Sequence, residues 1–121
     1  EDKILQYLKK NNINFICLAG YMKIISKKFI KKFRNKIINI HPSLLPKFKG
    51  LNTFTRVLKH KEKKTGCTAH YVNEKLDSGR IIVQRSFYIS SKDNEKTLKK
   101  KTQNLEYRVF PEAIIKVFRN Y

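Results

Sequence analysis

Asn39 and His41 stand two residues apart at the end of the apolar run Ile37-Ile38-Asn39-Ile40. On an extended backbone, side chains two apart leave on the same side. Pro42 disfavours the helical region for the residue before it and so keeps His41 extended. An amide and a titratable imidazole are thereby presented together at the carboxyl end of a strand, the edge where open α/β sheets place their ligands. Thr68 and His70 repeat the spacing on a later apolar segment, and Asp77 lies in the polar link behind them. Polar groups embedded in apolar strands need partners, and such partners make catalytic sites. Spacing alone leaves the ordinary alternative open, a strand-end histidine satisfied by its neighbours.

The elements that must position these residues follow from pattern. Ile4, Leu5 and Leu8 have helical spacing and Asn11-Asn12 ends that helix. The apolar run 15–19, closed by Gly20, reads as a strand buried on both faces of a parallel sheet. Ser26 can cap a short basic helix carrying Phe29, Ile30 and Phe33, and the strand 37–40 follows. Helix between two buried strands is a βαβ unit, which predicts an α/β fold with a largely parallel sheet and flanking helices. The stretch 42–50, with two prolines and a glycine, must be a shaped loop, followed by a helix capped at Asn52 or Thr53 and running to about residue 60. Residues 67–72 and 80–89 are β-prone and joined by the polar link 73–79. From about Asn94 an amphipathic helix carries Leu98, Leu105, Val109, Ile114, Val117 and Phe118, and Pro111 should kink or split it.

Composition bounds the rest. The chain has 121 residues, 40% of them hydrophobic, enough for one domain with a real core and too apolar for disorder. No apolar run reaches the ~20 residues of a membrane span, and the first residues are neither a basic leader nor a signal core. A soluble, unprocessed, cytoplasmic protein is expected. Cys17 and Cys67 have no partner at metal-ligand spacing, which predicts two reduced, buried thiols and no metal. Lys and Arg number 28 against 9 Asp and Glu, a formal charge of +19. Such a field attracts nucleic acid, acidic membrane or small polyanions, or is simply a solvated lysine-rich surface. No nucleic-acid-binding motif accompanies it, so a basic binding module rests on charge alone.

The segment Asn39-Ile40-His41-Pro42-Ser43-Leu44-Leu45-Pro46, with Phe48-Lys49-Gly50-Leu51-Asn52-Thr53, resembles the core signature of the folate-dependent formyltransferases. Three further blocks agree in order and spacing: Leu18-Ala19-Gly20-Tyr21-Met22, then Gly66-Cys67-Thr68-Ala69-His70-Tyr71-Val72 with Leu76-Asp77-Ser78-Gly79, and finally Glu106-Tyr107-Arg108-Val109-Phe110-Pro111. The resemblance implies a Rossmann-like formyltransferase fold, residues 1–121 forming part of one catalytic domain. It implies transfer of a formyl group from 10-formyltetrahydrofolate, as co-substrate, to the amine of phosphoribosylglycinamide in purine biosynthesis, without a metal. By the same resemblance Asn39 donates to the developing oxyanion, protonated His41 adds a charged donor, and Asp77 beside it favours the imidazolium. Thr68 and His70 support that network. Met22, Lys23, Ile24, Ile25, Asn39, Asn73, Glu74, Lys75, Leu76 and Asp77 would line the pterin pocket, while Gly50, Gln103 and Glu106 would face the acceptor, Glu106 accepting from ribose hydroxyls. Each has a plainer alternative: Met22 and Ile25 as core, Glu106 as a solvent-facing helix residue, Asp77 as turn former.

Departures are equally specific. Family members are longer and begin with a βα unit whose glycine-rich loop binds phosphate, whereas the four glycines here, Gly20, Gly50, Gly66 and Gly79, all fall in the blocks above. The expectation is a chain lacking those N-terminal strands, with an uncovered sheet edge that invites self-association of a monomer or homodimer. Arg80 stands where the family commonly has proline, and Tyr107 where it commonly has histidine. Formyltetrahydrofolate deformylase is the nearest rival, but that family usually shows His-His-Ser where this chain has His41-Pro42-Ser43. Methionyl-tRNA formyltransferase shares the Asn-x-His pair and differs in the loop at 48–51.

Overall fold

The computed structural model describes residues 1–20 and 25–119. Helices α1 (Asp2–Lys10), α2 (Lys27–Lys32), α3 (Thr53–Lys59) and α4 (Glu95–Arg119) flank strands β1 (Ile16–Leu18), β2 (Ile37–His41), β3 (Lys64–Tyr71) and β4 (Ile81–Tyr88). The strands form one sheet in the order β1-β2-β3-β4. β1 and β2 run parallel, as the βαβ pattern requires, but β3 and β4 each join antiparallel, so the sheet is mixed. The short link 72–80 returns β4 beside β3 in the opposite sense, whereas β2 reaches β3 through the loop 42–52 and α3.

Each face has its own core. Ile38 and Ile40 of β2, Cys67 and Ala69 of β3, and Ile82 and Val83 of β4 pack against Leu105, Val109, Ala113 and Val117 of α4. On the other face Ile37 packs with Leu5 of α1 and Phe29 and Ile30 of α2. Ser26 caps α2 as its spacing suggests, its hydroxyl accepting from the Phe29 N–H at 3.2 Å.

Two expectations change. α4 runs unbroken through Pro111. An interior proline costs about 3 kcal/mol, but each buried Leu or Val on the α4 stripe returns about 1.5–3 kcal/mol, and Leu98, Leu105, Val109 and Val117 are all buried. The carbonyl that loses its donor belongs to Tyr107, which is 73% exposed, so water can serve it. Of the two thiols only Cys67 is buried; Cys17 is exposed because β1 has a single strand neighbour among the described residues.

Candidate active site

Strand alternation builds the site. With Ile38 and Ile40 committed to the α4 face, Asn39 and His41 must point to the other. Antiparallel register sets Asn39 opposite His70 and His41 opposite Thr68, so four polar side chains share one face. His41, Thr68 and His70 are buried and Asn39 is half-buried. No hydrogen bond engages the Asn39 side-chain amide among the described residues, which leaves its two donors uncommitted.

Asp77 closes over this quartet. Its carboxylate Oδ2 lies 3.5 Å from His41 Nδ1 and its Oδ1 lies 3.9 Å from His70 Nε2. The Gly50 N–H donates to Oδ2 at 2.8 Å. Three local features bring it there. Asp77 adopts φ +48°, a left-handed conformation that Asp tolerates better than most residues. Asn73 Oδ1 accepts from the Lys75 N–H at 2.9 Å, tightening the turn before it. A Cβ on Gly79 would sit 1.6 Å from the Tyr71 carbonyl oxygen, so only glycine lets the link close onto the end of β3. Arg80 stacks its guanidinium 4.9 Å from the Tyr71 ring centre, just beyond that closure.

The two histidines on this carboxylate differ in kind. His41 Nε2–H donates to the Phe48 carbonyl at 2.8 Å while Nδ1 faces the Asp77 carboxylate at 3.5 Å. Burial pushes the His70 imidazole below its ordinary pKa, towards the neutral form. Its Nδ1–H donates to the Tyr71 carbonyl at 2.9 Å, so Nε2 carries the lone pair, buried and without a hydrogen-bond partner among the described residues.

Thr68 serves the loop rather than the acid pair. Its hydroxyl donates to the Ser43 carbonyl at 2.7 Å and accepts from the Leu45 N–H at 3.1 Å and from Gln84 Nε2 at 2.9 Å. Gln84 also donates to the Leu45 carbonyl at 2.9 Å. Sequence reasoning missed Gln84, the first polar residue after the apolar run Ile81-Ile82-Val83 of β4. It also missed the parts played by Phe48 and Arg56, which no local pattern distinguishes. Phe48, Gly50 and Asn52 all have positive φ, which coils the loop so that one carbonyl meets His41 and one N–H meets Asp77. At Gly50 an added Cβ would find only ordinary contact, 3.8 Å from Leu76, so its φ of +83° rather than lack of room calls for glycine.

The remaining expected residues are spread wider. Ile25 is half-buried against the α1–α2 core, and Met22, Lys23 and Ile24 lie outside the described residues. Asn73, Glu74, Lys75 and Leu76 line the turn beside Asp77, and all four are exposed. Gln103 is exposed on α4 and Glu106 half-buried there, and no hydrogen bond or ion pair joins either to Asn39, His41 or Asp77 among the described residues. Glu106 lies near Cys67, on the opposite face of the sheet. Burial pushes its carboxyl up to about 7 and is the main cause that takes the Cys67 thiol to about 12, Glu106 adding to it.

A mixed α/β sheet with an amide, two histidines and a carboxylate gathered at one strand end defines a class, and residues 1–114 match the family model described as formyl transferase. The chain belongs to the formyl transferase family. It is 42% identical over 118 residues to phosphoribosylglycinamide formyltransferase of Haemophilus influenzae, covering 98% of this chain and 55% of that protein. It is 45% identical over 112 residues to the trifunctional purine biosynthetic protein adenosine-3 of Drosophila pseudoobscura pseudoobscura, covering 93% of this chain and 8% of that one. Among solved structures, phosphoribosylglycinamide formyltransferase from Bacillus halodurans superposes with a TM-score of 0.92 at 39% identity, over 96% of this chain and 60% of that one. The chain thus spans little more than half the length of these single-function relatives.

Proposed function

We propose that residues 1–121 form part of the single catalytic domain of a phosphoribosylglycinamide formyltransferase, a cytoplasmic enzyme of purine biosynthesis with 10-formyltetrahydrofolate as co-substrate. The acceptor amine attacks the formyl carbon and forms the new C–N bond. The carbonyl oxygen takes the electron pair, and collapse of the tetrahedral anion breaks the bond to the folate nitrogen, which receives the proton the amine gives up. No protein nucleophile enters these steps. The chain must supply donors for the oxyanion and a place for the proton.

Asn39 supplies the first donor. The observation that carries this reading is its uncommitted, half-buried amide on the same face as the His41–Asp77 pair. Protonated His41 adds positive charge and, when its Nε2–H leaves the Phe48 carbonyl, a second donor. Asp77 holds that charge, and the lone pair of His70 Nε2 completes the polar wall. Met22 to Ile25 and the main chain of 73–77 read the flat pterin ring, while Gly50 and Gln103 face the acceptor. The relatives named above support amine acceptance, and His41-Pro42-Ser43 sets the chain apart from the hydrolytic deformylases.

The test is binding of a reduced folate or a non-reactive analogue, followed by backbone amide signals. Perturbations should centre on residues around Asn39, Asp77 and 73–76. Perturbations confined to the lysine-rich faces of α1 and α2 would overturn the assignment.

A further inference from the structure

Among the described residues, the loop holds His41 and Asp77 through two backbone groups two residues apart: the Phe48 carbonyl, 2.8 Å from His41 Nε2, and the Gly50 N–H, 2.8 Å from Asp77 Oδ2. Neither lies in regular structure, and the residues bearing them have φ of +55° and +83°. Left-handed backbone at a non-glycine residue such as Phe48 persists only where its surroundings impose it. Those surroundings centre on one side chain. Arg56 on α3 donates from Nη2 to the Lys49 carbonyl, between the two groups, at 2.5 Å, and its guanidinium lies 5.7 Å from the centre of the Phe48 ring. His60, one turn further on, meets the same ring edge-on at 5.4 Å and takes its own orientation from the Arg56 carbonyl, to which Nδ1–H donates at 2.8 Å. Arg56 Nε is buried and has no hydrogen-bond partner among the described residues, so the guanidinium is held in the protein at the expense of one donor.

We propose that Arg56 is a positioning residue for the catalytic pair: by clamping Phe48 and the Lys49 carbonyl it keeps the loop wound so that the Phe48 carbonyl occupies His41 Nε2 and the Gly50 N–H anchors Asp77. The clamp decides when the Nε2–H is committed to the loop and when it is free to donate elsewhere. The catalytic meaning of this control rests on the formyl-transfer reading, but the contact itself does not, and it can be measured without turnover.

The experiment is hydrogen exchange of the His41 Nε2–H, followed by nitrogen-15 NMR of the chain. In Arg56→Gln the Phe48 carbonyl is released, and exchange of the Nε2–H should quicken about tenfold, the order of one hydrogen bond's net worth. Amides of the β2–β3 ladder, such as those of Ile40 and Ala69, should keep their wild-type rates. Arg56→Lys retains the cation and one donor and should recover most of the protection. Phe48→Leu keeps the carbonyl and removes the ring that Arg56 grips, so it should reproduce the Arg56→Gln result and carries the same test if Arg56→Gln does not fold. Unchanged Nε2–H exchange in these variants, or an equal rise at every ladder amide, would overturn the proposal in favour of a merely structural Arg56. A failed folate-binding test beside a positive exchange result would leave the clamp standing and remove only its catalytic meaning.

Discussion

Asn39 is the member of the polar quartet whose side chain has no hydrogen-bond partner among the described residues. A half-buried amide with no partner is tolerated only because water reaches it, and it is the donor that a bound reactant can recruit at no cost to the fold. Asn39→Ala should therefore lower the turnover of the complete enzyme by about 10² to 10³, the usual loss for one oxyanion donor, while folate affinity and thermal stability change little. Steady-state kinetics with parallel binding measurements check this. His41 and Asp77 are different, because each completes the other: the imidazole Nδ1 has a carboxylate at 3.5 Å and the carboxylate has that ring among its few partners. Asp77→Asn keeps a residue that also tolerates the observed φ of +48°, so the backbone should hold while the charge is lost. Turnover should fall as far as in His41→Ala, and the double variant should cost little more than the worse single one, since groups acting as a unit are not additive. Losses that simply multiply would return Asp77 to turn formation.

At the scale of elements, β2, β3, the loop 42–52 and the link 72–80 gather the candidate site, and α4 covers the far face. α4 carries the chain's clearest pH response. Burial holds the Glu106 carboxyl up at about 7, against 4.5 unperturbed, so between these values the folded state binds a proton that the unfolded chain has released. The folded state is then favoured at the acid end of the window, and stability is lost as pH rises from about 4.5 through about 7, levelling off above it. A tenfold change in proton affinity is worth about 1.4 kcal/mol, and with solvent reaching part of the side chain a loss of order 2 kcal/mol is expected. Urea midpoints of wild type and Glu106→Gln should agree near pH ~4, while by pH ~8 the variant should be the more stable. The boundaries of the elements were largely legible from pattern, as at Ser26 for α2 and Asn52 for α3. The unbroken course of α4 through Pro111 was not, because local propensity counts the lost hydrogen bond and cannot count the stripe that packs against the sheet.

For the whole molecule, charge and edge matter most. β1 pairs with one strand among the described residues, and Cys17 is exposed on it, with Ile115 57% and Phe118 49% exposed on α4. A strand edge with no partner among the described residues, beside apolar surface, is a template for another chain, and the net charge of +19 opposes it by self-repulsion. Association should accordingly grow with protein concentration and with salt, which screens the repulsion. Cys17→Lys, which places a charge on the edge, should keep the chain monomeric at salt concentrations where the wild type associates. Sedimentation velocity in reducing buffer distinguishes the two, and association unaltered by Cys17→Lys would place the contact elsewhere.

The residue types and their spacing, read alone, determined the α/β class, the shared face of Asn39 and His41, the shared face of Thr68 and His70 and the family resemblance. Each of these follows from strand alternation or from collinear motifs, both of which are local. Tertiary structure decided what each group does. It placed Thr68 and Gln84 under the loop rather than beside the acid pair, turned β3 and β4 antiparallel and set Glu106 across the sheet from His41. It also brought Arg56 and Phe48, eight residues apart in sequence, onto the loop that orients His41. Those outcomes depend on which carbonyl or N–H a coiled loop presents to a side chain many residues away. Backbone groups are the same in every residue, so residue types cannot report where they point.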